Sequence, residues 1–338
     1  MPRPPRIRAA ATLLFAAGTL VPPARGLVRG RRGAVQALAY AAPVGLYVAM
    51  RPSRLRAVAV CASHMWAYIC AYESPNDDPE ALRERVHISY PIAIDRVLGL
   101  GELPTVRLQR ALARRDADGP RWRVLDRILV WAHWLWFAVP HAALAFILWR
   151  APERFAGAAA RVYAVFDLGA IGYWLIPTAP PWYAAELARC SPRSEGPDGR
   201  IDALADSSQS VRRMMVEYGE GFWRQGWGPL YSLFSGNPLA AMPSLHCATS
   251  VAATLELAEV AAPAGALAGV YTATLCFALV YLGEHYAADL IAGGALALAV
   301  RRGGRRLAPL LEVAHGLLRE LERAAHDGRR QSGLYYTN

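Results

Sequence analysis

The types and spacing of His285 and Asp289, which stand four positions apart, indicate chemistry. On a helix this spacing puts both residues on one face, with Cβ atoms about 5–6 Å apart. The carboxylate then accepts the proton of one ring nitrogen and leaves the other nitrogen as a nucleophile. An ordinary interfacial pair fits the same spacing. An apolar stretch follows, however, and ionisable groups at membrane depth are costly, which favours a functional role.

The segment Pro243-Ser244-Leu245-His246 is a second candidate. Proline suits the first turn of a helix, so we expect a helix to begin here. The backbone amides of Ser244 and Leu245 would then be free donors and form a phosphate site. His246 falls in the same turn, where a protonated imidazole holds phosphate or donates a proton to a leaving oxygen.

A third segment, Pro177-Thr178-Ala179-Pro180-Pro181-Trp182, contains three prolines and predicts a stiff loop. Thr178 and Trp182 are its candidate substrate contacts. An aromatic residue on a turn is also typical of a membrane interface, so this loop alone does not decide between the two interpretations.

The composition indicates which elements position these segments. Of the 338 residues, 54% are hydrophobic and 19% are charged, whereas a soluble domain carries about 25% charged residues. The apolar residues form blocks that approach the roughly 17–25 residues of a membrane-spanning helix. The sequence therefore predicts an all-α, polytopic helical membrane bundle, and it excludes a disordered or collagen-like chain.

The blocks divide the chain into four regions. We expect N-terminal membrane segments at 1–73, an amphipathic polar connector at 74–123, a membrane core at 124–302 with an outer loop at 185–240, and a basic amphipathic tail at 303–338. Residues 9–24 fit either a signal peptide or a membrane segment. The predicted spans are Ala34–Met50, Ala57–Tyr72, Ile128–Trp149, Ala158–Ile176, Ser244–Val260, Leu267–Leu282 and Ala287–Val300.

The formal net charge is +10, and every basic residue is arginine. Many of these arginines stand beside apolar blocks, as juxtamembrane charges do, which argues against nucleic-acid binding. Arg150 and Arg154 lie between two spans, and Arg301 and Arg302 follow the last one. These ends should face the cytoplasm, and counting spans then brings the three candidate segments together on the opposite face.

Together the three segments resemble the type 2 phosphatidic acid phosphatase superfamily of membrane phosphatases and phosphotransferases, over about residues 124–302. In that family a Pro-Ser-x-His segment and a later His-x-x-x-Asp segment form the active site of a six-helix core. The resemblance implies that His285 attacks a lipid phosphate and forms a phosphohistidine, and that Asp289 supports it. It also implies that His246 protonates the leaving group, and that neither a metal nor another cofactor takes part.

Within the superfamily, the loop around Thr178 looks like that of the inositol phosphorylceramide synthase-like branch. Residues 91–109, which include Asp95, and His133 with Pro140 add to this likeness. In ordinary members a Lys/Arg–Arg–Pro motif stands at the loop instead. The branch resemblance implies an inositolphosphotransferase-like activity.

The chain departs from ordinary members at their cationic phosphate clamp. The arginine that they carry upstream of the second histidine is Leu279 here, and the cations of the first motif are missing. An arginine of the outer loop would have to replace them. Arg212, Arg213 and Arg224 are available, and we take Arg224 as the candidate.

The resemblance thus implies a membrane phosphotransferase acting on a lipid-linked phosphate, with that lipid and the bilayer as partners and with the oligomeric state left open. A lipid phosphate or polyprenyl diphosphate phosphatase, which uses water as the acceptor, is the alternative within the family. A non-enzymatic transporter is the alternative of another class, and Asp167 inside a predicted span supports it. A metal site formed by Glu284, His285, Asp289 and His246 is disfavoured. The sequence has no HExxH motif, and the adjacent side chains of Glu284 and His285 point apart on a helix. Ser235-Gly236 is a weak candidate for the serine motif of an intramembrane protease.

Overall fold

The computed structural model describes residues 4–23, 32–116, 119–190, 210–228 and 237–326. The structure is almost entirely helical, which confirms the predicted all-α helical bundle. Two compact units divide the chain. One comprises Met1–Asp77 with Arg301–Asn338, and the other comprises Asp78–Val300.

The first unit contains α1 (Pro4–Leu20), α2 (Arg32–Ala49), α3 (Arg54–Glu73) and a 3-10 turn, Ser74–Asp77. Helices α1 and α2 pack closely because glycine stands where they touch. A Cβ on Gly18 would lie 2.4 Å from the Leu38 carbonyl oxygen, and one on Gly45 would lie 2.6 Å from that of Ala11. Small residues at a helix contact let the two backbones approach each other. The predicted spans Ala34–Met50 and Ala57–Tyr72 correspond to α2 and α3.

The second unit begins with three short helices and a small hairpin, and further helices follow, of which the last runs past Val300. Their bounds are α4 (Pro79–Arg85), α5 (Ser89–Leu98), α6 (Pro104–Leu112), β1 (Arg114–Asp116), β2 (Gly119–Arg121), α7 (Val124–Leu135), α8 (Val139–Arg150), α9 (Pro152–Leu175), α10 (Pro181–Cys190), α11 (Met214–Trp223), a 3-10 turn (Arg224–Gly226), α12 (Leu245–Val260), α13 (Ala262–Tyr281) and α14 (Ala287–His326). Strands β1 and β2 are antiparallel. Part of the predicted outer loop at 185–240 is thus helical, and residues 191–209 and 229–236, including Ser235-Gly236, lie outside the described residues.

Two helices in the described part of the chain, α9 and α13, are long and apolar enough to cross a membrane. The predicted span Ile128–Trp149 is not one continuous helix, because the chain breaks into α7 and α8 with a bend of 61°. Pro140 explains the break: it has no N–H for the Trp136 carbonyl, and its ring clashes with that carbonyl in a continuous helix. If the bent pair is one span, the number of candidate spans rises to three.

Helix α14 runs without interruption from Ala287 to His326. It therefore joins the predicted span Ala287–Val300 to the predicted tail at 303–338, which we had expected to be separate elements. The end of that tail, residues 327–338, lies outside the described residues.

Glycines on α9 and α14 seat the start of α12 between those two helices. A Cβ on Gly169 of α9 would lie 2.4 Å from the Leu245 side chain, and one on Gly293 of α14 would lie 2.4 Å from the Ser244 carbonyl oxygen. Further along, the Arg161 guanidinium of α9 donates from Nε to Glu256 Oε1 of α12 at 2.6 Å, and Glu256 is buried. These contacts fix the position of α12, which carries His246.

Candidate active site

His285 lies in the turn between α13 and α14, two residues before α14 begins, so the expected shared helix face is wrong. The expected contact nevertheless forms, with His285 Nδ1 3.1 Å from Asp289 Oδ2. Asp289 stands in the first turn of α14, and the same oxygen accepts the backbone N–H of Tyr286 at 2.9 Å. Such a return bond from the third helical residue is half of a capping box. The helix start, rather than the helix face, brings the carboxylate to the histidine.

Asp95 of α5 completes the cap of α14 from a distant part of the chain. Its carboxylate accepts the backbone N–H groups of Ala287 at 2.9 Å and Ala288 at 2.8 Å. Burial raises the pKa of Asp95 to about 6, while the two backbone hydrogen bonds act in the opposite direction. Asp95 therefore occupies the donors that a helix N-terminus would otherwise offer to an anion.

His246 and His285 are in direct contact, with His246 Nδ1 3.1 Å from His285 Nε2. If Asp289 accepts the Nδ1 proton of a neutral His285, then Nε2 of that ring carries a lone pair. The Nδ1–H group of His246 must then donate to it. His246, His285 and Asp289 thus form a continuous chain of hydrogen bonds.

The helix carrying His246 begins at Leu245, with Ser244 as its N-cap residue. The predicted free amides are not available there. Ser244 N donates to the Asp289 carbonyl oxygen at 2.9 Å, and Leu245 N donates to Tyr173 Oη at 3.3 Å. Tyr173 also donates its proton to the Pro243 carbonyl at 2.7 Å. The interpretation of Ser244 and Leu245 as phosphate-binding amides is therefore wrong for this arrangement, because neighbouring helices pack close enough to take both donors.

Two side chains from the end of α7 and the break after it cover His246. The ring of His133 is stacked on it, with centroids 5.0 Å apart, and the ring of Trp136 is 4.1 Å away. Trp136 is held in place by a bond from Nε1–H to Thr249 Oγ1 at 2.9 Å. His133 is buried, and its Nδ1 has no hydrogen-bond partner among the described residues. His133 therefore contributes a stacked ring at this site.

Thr178 is buried and engaged with the protein. Its hydroxyl donates to the Ile176 carbonyl at 3.0 Å and lies 2.7 Å from Tyr90 Oη. Its backbone bonds both Leu239 and Ala241, which links the proline-rich loop to the segment before α12. Thr178 therefore fixes the loop, and the structure does not place its hydroxyl as a substrate contact.

Trp182 supports a cation beside the histidines. The Arg213 guanidinium carbon lies 3.5 Å from the centroid of the Trp182 ring, and Arg213 Nε donates to Glu284 Oε1 at 3.3 Å. Glu284 directly precedes His285.

Arg224, the predicted clamp residue, is exposed at the far end of α11 from Arg213. The ten residues of α11 place it about 15 Å further along the helix axis. In the described part of the chain, it makes no hydrogen bond or ion pair with the histidines. The selection of Arg224 is wrong, and Arg213 is the arginine of this loop that lies beside the histidines.

A model of the PAP2 superfamily matches residues 121–301, which is more than half of the chain. The chain belongs to the PAP2 superfamily. No curated protein and no solved structure matches it. Membership, together with the apolar helices, identifies an integral membrane protein with phosphatase- or phosphotransferase-type activity.

Gln109 is the residue of this PAP2 protein that sequence reasoning missed. Its buried side-chain amide donates to the carbonyl oxygens of Arg212 at 2.8 Å and Tyr281 at 2.9 Å, and its Oε1 accepts the N–H of Arg212 at 2.9 Å. It therefore ties the segment before α11 to the end of α13. A single glutamine on a short amphipathic helix carries no signal of this role, because its partners are backbone groups of distant residues.

Proposed function

We propose that this PAP2 protein is a membrane phosphotransferase that moves a lipid-linked phosphate group to an alcohol acceptor through a phosphohistidine on His285. The chain of hydrogen bonds from His246 through His285 to Asp289 is the observation that carries this proposal. The loop around Thr178 supports an inositolphosphotransferase-like specificity. The arginine pattern supports a site on the non-cytoplasmic face of the cell membrane.

In the first step, His285 Nε2 attacks the phosphorus of the donor, and the bond between phosphorus and the lipid oxygen breaks. Protonated His246 gives its proton to that oxygen, so the lipid leaves as a neutral alcohol. Asp289 accepts the Nδ1–H group and stabilises the positive charge of the ring. The two rings must separate for this step, since a nitrogen-to-nitrogen distance of 3.1 Å leaves no space for phosphorus between them.

In the second step, His246 removes the proton of the acceptor hydroxyl, whose oxygen attacks the phosphohistidine. The bond between phosphorus and nitrogen breaks, and both histidines return to their starting forms. The aromatic rings of His133 and Trp136 cover His246, and His285 is buried. This cover restricts water, which favours an alcohol as the acceptor over hydrolysis.

The test is reconstitution of the purified protein in liposomes that contain phosphatidylinositol labelled in its phosphate and a long-chain alcohol acceptor. We expect the label to move to the acceptor, and we expect His285→Ala to abolish that transfer. Label released as water-soluble inositol phosphate would show that water is the acceptor and would establish the phosphatase alternative. Equal product from the wild type and His285→Ala would overturn the proposal, and retained solute transport by that variant would favour a transporter.

A further inference from the structure

Arg213 is placed to bind an oxyanion. A guanidinium uses its face for an aromatic ring and its edge for a carboxylate or a phosphate. Arg213 makes both kinds of contact, since its guanidinium lies over Trp182 at 3.5 Å and donates from Nε to Glu284 at 3.3 Å. Stacking on the ring fixes the plane of the guanidinium and therefore the direction in which its edge faces.

The backbone on both sides of Arg213 is pinned. Gln109 bonds the N–H and the carbonyl of the preceding residue, Arg212, and the N–H of the following residue, Met214, donates to the Leu282 carbonyl at 3.1 Å. Although Arg213 precedes α11 in what the sequence presents as a loop, its Cα position is therefore set by the turn that carries Glu284 and His285.

That turn is shaped to receive the arginine segment. Gly283 has φ +84°, a conformation that favours glycine. A Cβ at this position would also lie 2.6 Å from the Arg212 carbonyl oxygen. The Gly283 carbonyl accepts the backbone N–H of Trp182 at 3.2 Å. The same turn thus holds the tryptophan and the arginine in one place, directly before His285.

Among the described residues, Glu284 accepts one hydrogen bond from Arg213, at 3.3 Å. The neighbouring pair differs, because Arg212 binds both carboxylate oxygens of Glu217. A phosphate offers more negative charge and a better bidentate fit to a guanidinium than one carboxylate oxygen does. A buried carboxylate opposite a cation also keeps the pair close to neutral until an anion arrives.

We propose that Arg213 is the phosphate-binding cation of this site and that Glu284 holds its guanidinium until the substrate phosphate displaces the carboxylate. The proposal rests on the function proposed above and supplies the clamp that the sequence lacks. Trp182 and Gln109 act as positioning residues for Arg213. The lipid phosphate then lies between the guanidinium and His285, which is bonded to Asp289 on its other side.

The experiment measures binding of inorganic phosphate and of vanadate to the full chain in detergent micelles by thermal stabilisation, alongside the KM and kcat of transfer. We expect Arg213→Ala to weaken binding of both anions about tenfold or more and to raise KM. Arg213→Lys should recover part of this loss, because it keeps the charge without the planar edge. Glu284→Gln should tighten anion binding several-fold, since the competing carboxylate is gone.

Arg212→Ala is the matched control. This side chain stands next to Arg213 and is also paired with a glutamate, but among the described residues it does not contact Glu284 or Trp182. We expect Arg212→Ala to bind anions as the wild type does. Anion binding unchanged in both Arg213→Ala and Arg213→Lys, or weakened by Glu284→Gln, would overturn the proposal.

The two proposals fail in different ways. If the wild type transfers no phosphate from any donor but still binds anions through Arg213, the proposed function fails and the Arg213 site stands. If transfer depends on His285 while anion binding does not change when Arg213 is substituted, the proposed function stands and the Arg213 site fails. Circular dichroism of each variant, with Arg213→Lys as the second substitution, keeps a folding defect from being mistaken for either result.

Discussion

The two sides of the candidate site are built differently. On the histidine side, His246 and Asp289 belong to the first turns of α12 and α14, and His285 precedes α14 directly. On the arginine side, Arg213 and Trp182 precede or begin helices whose placement depends on backbone bonds to a turn. The contact between His285 and Asp289 is thus local along the chain, although Asp95 of α5 completes the same cap. The position of Arg213 depends instead on Gln109 in a distant helix. A contact between residues close along the chain tolerates substitutions elsewhere, whereas a contact made by a distant residue is lost when that residue is substituted.

Asp289→Asn is the largest expected disruption of the histidine side. Its amide oxygen can still accept the Tyr286 N–H and keep the cap, but it cannot stabilise the charged His285 ring. We expect kcat to fall by about 10³–10⁴-fold, as when a histidine loses its orienting carboxylate. Transfer kinetics check this prediction, and the melting temperature should change little. A loss of activity below tenfold would mean that Asp289 serves only the cap.

Gln109→Leu is the corresponding disruption of the arginine side. It removes three hydrogen bonds and leaves buried backbone groups of Arg212 and Tyr281 without them. We expect a destabilisation of about 2–4 kcal/mol and a rise in KM that exceeds the fall in kcat. Denaturation in detergent and transfer kinetics measure the two effects.

Thr105→Val is the control for Gln109→Leu, because Thr105 lies one helical turn earlier on α6 and is also buried. Its hydroxyl has no hydrogen-bond partner in the described part of the chain. We expect little change in stability or KM. Equal effects of the two substitutions would show that α6 contributes general packing rather than a specific hold on Arg212.

Gly283→Ala tests the turn that the two sides share. The added Cβ would require φ near +84° and would approach the Arg212 carbonyl to 2.6 Å. We expect a destabilisation of about 1–3 kcal/mol from the strained backbone. Gly294→Ala is the control, since nothing lies within 4 Å of a Cβ at that position of α14, and it should stabilise the helix by about 0.5–1 kcal/mol. If both substitutions changed the free energy of unfolding in the same direction, this account of the turn would be refuted.

Asp95→Asn should have the smallest effect, and the effect should depend on pH. The folded protein raises the pKa of Asp95 from 3.8 to about 6, so the folded state holds this proton more tightly than the unfolded state. The stabilisation from that proton is complete below about pH 4 and is lost as the pH rises through about 6. The melting temperature of the wild type should therefore fall relative to that of Asp95→Asn across this range. A constant difference would show that Asp95 does not titrate there.

The all-α class could be predicted from the hydropathy of the sequence. The histidine side could be predicted from short spacings such as that between His285 and Asp289. The break between α7 and α8 could have been anticipated from Pro140. The arginine side could not, since three arginines of one region are equivalent in sequence, and only the contacts of Arg213 with Trp182 and Glu284 distinguish it from Arg224. The occupied amides of Ser244 and Leu245 depend on how closely α9 and α14 approach α12, which spacing along the chain does not encode.

The contact between His246 and His285 has a consequence for chemical selectivity. In the proposed mechanism His285 Nε2 is the nucleophile, and it is masked as long as the Nδ1–H group of His246 donates to its lone pair at 3.1 Å. The carboxylic esters that surround the protein in a bilayer are electrophiles too, yet they are neutral and offer nothing to draw the two rings apart. A phosphate brings negative charge that attracts the His246 proton. Under the proposed mechanism the anion itself therefore releases the reactivity, and we expect the resting protein to leave the abundant ester bonds of the surrounding lipids intact.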